Sequence, residues 1–314
     1  MSLSKPLHTV EAKKEASLRT SRYVHLAEAL RIHQWTKNLL VFVPLLMAHK
    51  IFDSRALLTS AYAFVAWCLC ASGVYLLNDR LDLEADRVHP RKRLRPLASG
   101  ALSQKSLWAL IPLLLASGLA IAFLVLPLAF GLSLLIYLAL TTAYSVHLKR
   151  ILIVDVLLLA GLYALRVLSG GFASDIPVSP WLLAFSMFLF LSLAFVKRYA
   201  ELKSLKEKGG TETLRRGYSL ADAEFLKTFG AASGYLSVLV LVLYINSREV
   251  VALYHRPTVL WLIGPFLLYW ITRVWLLAER GLMDEDPILF TVKDAPSYVV
   301  GLFVAAVIVA ATLL

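Results

Sequence analysis

Apolar residues fall in long blocks near 38–49, 56–77, 107–125, 128–147, 152–171, 180–196, 229–246, 258–277 and 296–314, separated by polar or proline-bearing turns. Crossing about 30 Å of hydrocarbon takes roughly 20 residues of helix, and in lipid the backbone is satisfied only within helices or closed barrels. The pattern predicts an all-α, polytopic membrane bundle of about nine transmembrane helices. The first block is the shortest and reaches spanning length only if helix extends back through Leu26–Trp35, and only the turn at Leu126-Pro127 parts the third from the fourth. Residues 1–30 carry Lys5, Lys13, Lys14, Arg19 and Arg22 without an apolar core, which predicts a polar cytoplasmic tail rather than a cleavable signal. Residues 31–314 are expected to form one transmembrane domain.

The composition agrees with lipid as the solvent: 59% of residues are hydrophobic and the mean hydropathy is +0.71. Of 32 Lys and Arg residues, 27 fall on one side of the predicted topology, namely the N-terminus and the loops after spans two, four, six and eight. Positive charge collects on the cytoplasmic side, so those segments are assigned there. The net charge of +11 therefore follows topology and implies anionic headgroups and phosphate-bearing substrates, not nucleic acid. Cys68 and Cys70 point to different faces of one apolar helix and are expected to pack, without a disulfide or metal role.

The chemistry concentrates after the second span, in Asn78-Asp79-Arg80-Leu81-Asp82-Leu83-Glu84-Ala85-Asp86. If the helix continues, Asp79, Asp82 and Asp86 at i, i+3 and i+7 share a face, with Asn78 at i−4 from Asp82. Carboxylates so stacked repel one another unless a cation neutralises them. Hard oxygen donors suit Mg²⁺, which bridges one or two carboxylates to substrate phosphates, so the ladder predicts a diphosphate site. The competing reading is a solvated acidic face balanced by Arg80, Arg87 and Arg91. Downstream, His89-Pro90-Arg91-Lys92-Arg93-Leu94-Arg95-Pro96 sets four cations between two prolines. Arg93 and Arg95 are expected on substrate phosphate, and Arg91 and Lys92 serve equally well as a lipid-headgroup patch.

Asn78-Asp79-x-x-Asp82-x-x-x-Asp86 followed by Arg95-Pro96 resembles the first signature of the UbiA superfamily of intramembrane prenyltransferases. Arg31-Ile-His-Gln34-Trp35-Thr-Lys37-Asn38 and Tyr144-Ser-x-x-Leu-Lys149-Arg150 resemble it too. The resemblance implies a ring of nine transmembrane helices around a central cavity open to lipid, Mg²⁺ on the aspartates, and ionised diphosphate as leaving group. Most members carry a second Asp-x-x-x-Asp motif after the sixth span. Here that place reads Lys197-Arg198-Tyr199-Ala200-Glu201-Leu202-Lys203, with cations largely in place of acids.

That exchange resembles the decaprenyl-phosphate phosphoribosyltransferase branch. It implies transfer of 5-phosphoribose from phosphoribosyl pyrophosphate to a polyprenyl phosphate, with release of pyrophosphate, in a route toward cell-wall arabinose. On this resemblance Asn78, Asp79, Asp82 and Asp86 hold Mg²⁺ and the donor pyrophosphate, and Lys37, Arg93 and Arg95 clamp donor phosphates. Lys197, Arg198, Tyr199 and Lys203 orient the lipid phosphate. Asp155 is expected near the ribose hydroxyls or paired with a neighbouring span, and Tyr144 and Lys149 on phosphate or as interfacial anchors. The intramembrane Arg166 receives no role.

Asp284-Glu285-Asp286 and Lys293-Asp294 read as a solvated cluster, and Thr211–Phe229 as an interfacial helix to which Gly209-Gly210 supplies hinge freedom. Gly118, Gly131, Gly161, Gly170 and Gly171 permit close helix contacts within a protomer or in a homo-oligomer. Two other functions compete: a UbiA-type aromatic prenyltransferase using a polyprenyl diphosphate, which the 197–203 exchange opposes, and an ion transporter. The transporter reading is opposed by the acids' place at a helix end rather than at the bilayer midplane.

Overall fold

A computed structural model describes residues 24–88, 92–207, 217–283, 286–291 and 293–313. Among them there is no β-strand, and eight helices are long and apolar enough to cross a membrane. The sequence blocks from 56 onward each match one of these eight. The block near 38–49 does not: it is a 3₁₀ helix, Ile32–Phe42, followed by the five-residue α2, Val43–Met47, after a short helix α1 at 24–29. Pro44 sits at the start of α2, where its missing N–H costs nothing but bars an α-helix from running through it. Positive φ at Arg31 (51°) and His49 (56°) breaks the chain at both ends of the segment.

The chain divides into two compact units. The first holds residues 24–38 and 61–134. Its frame is α3 (Ser54–Leu81), which starts in the other unit, the short α4 (Leu83–Val88) and α5 (Gln104–Leu124). Buried Leu76, Leu83, Leu97, Leu107 and Ile111 pack the residues after α3 onto α3 and α5, with Ala29 of α1 joining them. Trp35 Nε1 donates to Ser72 Oγ at 3.1 Å, and Ser72 Oγ donates to the Leu30 carbonyl at 2.8 Å, which ties the 3₁₀ segment to α3 two turns before Asp79. A Cβ on Gly118 would come within 2.6 Å of Cys70 Sγ, so α5 lies close against α3 there. Cys68 and Cys70 are buried free thiols.

The second unit comprises residues 39–60 and the described residues from 135 onward. It contains most of α6 (Leu128–Val146), then α7 (Val154–Ser174), α8 (Pro180–Glu207), α9 (Ala223–Ile245), α10 (Arg248–Leu253), α11 (Ile263–Glu279), α12 (Pro287–Thr291) and α13 (Ala295–Leu313). Its core joins Val156 and Val167 of α7, Phe190 and Phe195 of α8, Leu226 of α9 and Trp275 of α11. Lipid-soluble helices gain little from the hydrophobic effect between themselves, so small residues and polar links decide their packing. Ser192 Oγ donates to the Gly230 carbonyl at 2.7 Å and accepts from Trp275 Nε1 at 3.1 Å, joining three helices. Of the expected interfacial helix Thr211–Phe229, residues 211–216 lie outside the described residues, as do Gly209 and Gly210. From Gly217 the chain is a loop and a 3₁₀ turn with a Ser219–Asp222 capping box, and α9 begins at Ala223.

Candidate functional site

The first unit gathers two of the three ladder acids. The backbone ladder runs past the end of α3, with Asp82 N bonded to the Asn78 carbonyl at 2.9 Å and Asp86 N to the Asp82 carbonyl at 2.8 Å. On a 3.6-residue period Asp86 lies about 20° round the axis from Asp79 and Asp82 about 60°. Accordingly Asp79 and Asp86 are buried, at 6% and 3% exposure, while Asp82 is exposed and Asn78 half-buried. Arg95 Nη1 donates to both buried acids, at 3.0 Å to Asp79 Oδ1 and 2.6 Å to Asp86 Oδ2. Arg31 Nη2 donates to the same Asp79 Oδ1 at 2.5 Å, and its guanidinium lies 4.8 Å from the centre of the Tyr75 ring.

Arg31, in the segment Arg31–Asn38, joins the cluster although the motif gives it no role. Its partner lies 48 residues away, and nothing local signals the pairing. Lys37 is buried, Arg93 and Lys92 are exposed, and His89, Pro90 and Arg91 lie outside the described residues.

Whether this cluster suits a divalent cation can be judged from its donors. Oxygens of two different carboxylates converge on a single cationic nitrogen, Arg95 Nη1, and every carboxylate donor is hard oxygen. Among the described residues no group of three or more His, Cys, Asp or Glu could hold a metal by protein ligands alone. Two carboxylates with water and substrate phosphate completing the shell is the usual Mg²⁺ arrangement, and the residues fit it.

The second unit holds a different cluster. Arg198 is fully buried in α8, and all five of its N–H donors are taken. Nε is bonded to Asp155 Oδ2, Nη2 to Asp155 Oδ1 and the Tyr144 hydroxyl at 2.9 Å each, and Nη1 to both Glu201 oxygens at 2.8 and 2.7 Å. Tyr144 in turn donates to Asp155 Oδ1 at 2.8 Å. Asp155 is wholly buried. Its position is set by a strained turn: Ile153, two residues earlier, has φ 67° and ψ −42°, and Val154 N bonds the Leu152 carbonyl at 2.7 Å, the signature of a rare γ-turn. A β-branched residue is costly in that region of φ, by roughly 1–3 kcal/mol. The buried Tyr218 hydroxyl accepts the Ile153 N–H at 3.1 Å, and burial raises the phenol's pKa, keeping it protonated.

Arg198 and Tyr199 thus take different faces of α8. Arg198 turns to Asp155 and Tyr144, while Tyr199 donates to Glu279 Oε2 at 2.5 Å. Lys227 Nζ lies 3.2 Å from the same carboxylate, and Lys203 is within its electrostatic reach. Glu279, at the end of an apolar span, was not signalled by any motif. Lys149, Lys197 and Lys203 are half-buried. Arg166 is buried in α7 between the Tyr137 and Tyr163 rings, at 5.1 and 5.5 Å. Asp284 and Glu285 lie outside the described residues, and Asp294 forms a two-pronged pair with Arg273 at 2.7 and 3.0 Å.

The pattern describing the UbiA prenyltransferase family matches residues 39–295. The chain belongs to that family. This UbiA-family transferase is an integral, multi-pass membrane protein. It is 37% identical over 283 residues to the uncharacterized protein y4nM of Sinorhizobium fredii, covering 90% of this chain but only 55% of that protein's length. It is 34% identical over 283 residues to the nodulation protein NoeC of Azorhizobium caulinodans, covering 88% and 90%. To the decaprenyl-phosphate phosphoribosyltransferase of Mycolicibacterium smegmatis it is 35% identical over 230 residues, 71% of each chain. A UbiA homolog from Archaeoglobus fulgidus, solved bound to DMAPP and Mg²⁺, shares the fold with a TM-score of 0.66 at 17% identity, covering 92% of this chain and 99% of that one.

Proposed function

We propose that the protein transfers the 5-phosphoribosyl group of phosphoribosyl pyrophosphate to a polyprenyl phosphate, with pyrophosphate leaving. The C1–O bond to pyrophosphate breaks with its electron pair on the leaving oxygen, and an oxygen of the lipid phosphate forms the new bond at C1. That oxygen is already anionic, so no strong general base is needed. The observation that carries the reading is Arg198. At the place where most family members bear a second acidic motif, a guanidinium is fixed between Asp155 and Glu201 with every donor used. A guanidinium so placed neutralises carboxylates that a second metal would otherwise meet, and leaves Lys149, Lys197 and Lys203 to face an acceptor with one phosphate in place of two. The name of the Mycolicibacterium smegmatis relative agrees with this choice.

In this reading Asp79 and Asp86, with Asn78 and Asp82 beside them, hold Mg²⁺. When bound, the ion neutralises the charge developing on the leaving pyrophosphate. Arg31 and Arg95 supply fork-shaped donors to the diphosphate, and Lys37 and Arg93 add positive charge around it. Lys149, Lys197 and Lys203 attract the lipid phosphate, while Arg198, Asp155, Tyr144 and Glu201 act as a rigid support that holds α6, α7 and α8 in register. Tyr199 is tied to Glu279 and orients the face that bears Lys203. The excess of Lys and Arg on these loops supports a site opening to the cytoplasm.

The test is direct. Purified protein in detergent receives labelled phosphoribosyl pyrophosphate with decaprenyl phosphate, or a polyprenyl diphosphate with labelled hydroxybenzoate. Label is expected in the lipid fraction only with the first pair, and is abolished by chelation of divalent ions. Product only from the second pair ends the proposal in favour of aromatic prenylation.

A further inference from the structure

Asp79 and Asp86 bring two negative charges into a buried position, and two guanidiniums already answer them. The heads of these arginines are not sealed in: the side chains of Arg31 and Arg95 are 23% and 30% exposed, against 8% and 4% for the acids they touch. Arg95 spends a single nitrogen on both carboxylates, and none of the described residues accepts from its Nε or Nη2. Its backbone is anchored by the buried Pro96 and Leu97 that follow, so the guanidinium can turn while its root stays in place. Arg31 is held beside Asp79 at a backbone cost, with φ 51° in the left-handed region, and its head rests on the Tyr75 ring.

The charges set a condition on binding. A divalent cation entering a balanced cluster adds two positive charges to a space that already holds two guanidiniums. A diphosphate entering alone must approach two buried carboxylates. When both arrive, the carboxylates pass to the metal and the guanidiniums pass to phosphate oxygens, and each charge regains a partner. Free-energy coupling of this kind is reciprocal, and in proteins it is typically worth roughly 5- to 150-fold in affinity.

The geometry points to Arg31 and Arg95 as a transferable counter-charge: they occupy the carboxylates until a divalent cation and a diphosphate come together, so that each ligand strengthens the other and neither binds well alone. This rests on the donor site proposed above and goes further, since it assigns the arginines to coupling rather than only to phosphate affinity.

Protein-bound Mn²⁺, measured by equilibrium dialysis of the detergent-purified protein against protein-free buffer with and without inorganic pyrophosphate, so that chelation in solution is common to both sides, tests it without turnover. Pyrophosphate is expected to tighten Mn²⁺ binding by about ten- to a hundredfold in the native chain, within the usual range for coupled sites. In Arg95→Gln and Arg31→Gln, Mn²⁺ alone should bind more tightly than in the native chain, and the pyrophosphate effect should shrink toward unity. Arg95→Lys, which keeps the charge, should leave Mn²⁺ alone as weakly bound as before. A merely structural role for Arg95 gives the opposite sign, because a collapsed site binds metal worse. Equal or weaker Mn²⁺ affinity in the glutamine variants, with pyrophosphate-dependent binding intact in the native chain, overturns the coupling and leaves the donor site standing. A native chain that binds no Mn²⁺ even with pyrophosphate overturns both.

Discussion

Replacing Arg198 by Met separates the structural cation from its partners, and the cost can be worked from what it leaves behind. Asp155 is wholly buried and would keep only the Tyr144 hydroxyl, whereas Glu201, with 17% of its side chain exposed, can turn toward solvent. Removing one partner of a buried ion pair costs about 3–5 kcal/mol, because the remaining charge is stranded, and replacing both by apolar groups of similar size is often close to neutral. Arg198→Met/Asp155→Leu therefore recovers most of the loss. What remains is the Tyr144 hydroxyl, deprived of both partners, at about 1–3 kcal/mol. For a chain of this size one kcal/mol moves the midpoint by roughly 2 °C. Thermal unfolding in detergent, followed by tryptophan fluorescence, should then show the single variant about 6–10 °C below the native chain and the double variant about 2–6 °C below it. A single variant as stable as the double would mean that Arg198 is not neutralising Asp155, and the case for a fixed cation in place of a second metal would go with it.

Three further outcomes follow from the same geometry. Tyr218→Phe removes the acceptor of the strained, part-buried Ile153 N–H, and an unpaired donor costs up to about 1–3 kcal/mol when buried, so the melting midpoint should drop by about a degree or more; an unchanged midpoint removes Tyr218 from the support of that turn. Gly170→Ala would place its Cβ 2.0 Å from the Val41 carbonyl oxygen, and because backbone cannot yield as a side chain does, a loss of about 1–3 kcal/mol or more is expected in the same melting assay. Asp294 accepts from Arg273 and from the Ser297 hydroxyl and N–H at the start of α13; burial works to raise its pKa, but these bonds outweigh it and hold the carboxyl below its ordinary value. Its contribution is therefore complete above the ordinary aspartate value of about 4 and is lost as pH falls through the lower folded value. The acid-side fall in melting midpoint should be shallower in Asp294→Asn, and an identical slope rejects the assignment.

The long helices were legible because a membrane enforces one rule on every apolar block, and the rule needs no knowledge of neighbours. It misses the block near 38–49, where hydropathy alone hides the effect of Pro44 and of the positive φ values at Arg31 and His49. The convergence of Asp79 and Asp86 was legible from the seven-residue spacing, and the exposure of Asp82 follows from its greater angular offset once the two buried acids are known. The Arg198–Glu201 contact is equally local, at i and i+3. By contrast Arg198–Asp155, Arg31–Asp79 and Tyr199–Glu279 join residues 43, 48 and 80 apart, and no periodicity within one helix carries that information. The γ-turn at Ile153 leaves no trace either, since a β-branched residue there runs against the preference that normally marks such a position.

Both units place an arginine between carboxylates, and the difference between the two arrangements has chemical meaning. Arg95 shares one nitrogen between two acids and shows nearly a third of its side chain, so exchanging it for another cation breaks two bonds and strands nothing that phosphate cannot satisfy. Arg198 has five donors engaged and no exposure, and withdrawing it would leave Asp155 charged in a dry interior. On the proposed reading, an exchangeable guanidinium suits a diphosphate ligand that arrives with its own metal. On the same reading, a permanent one fills the place of a second metal against Asp155 and Glu201, and the half-buried Lys149, Lys197 and Lys203 are left to attract an acceptor phosphate whose oxygen is the nucleophile. A second divalent ion on that oxygen would lower its reactivity, whereas half-buried lysines nearby lower its charge only by proximity. If the acceptor is a lipid monophosphate, as proposed, the cations at Lys197, Arg198 and Lys203 suit its chemistry.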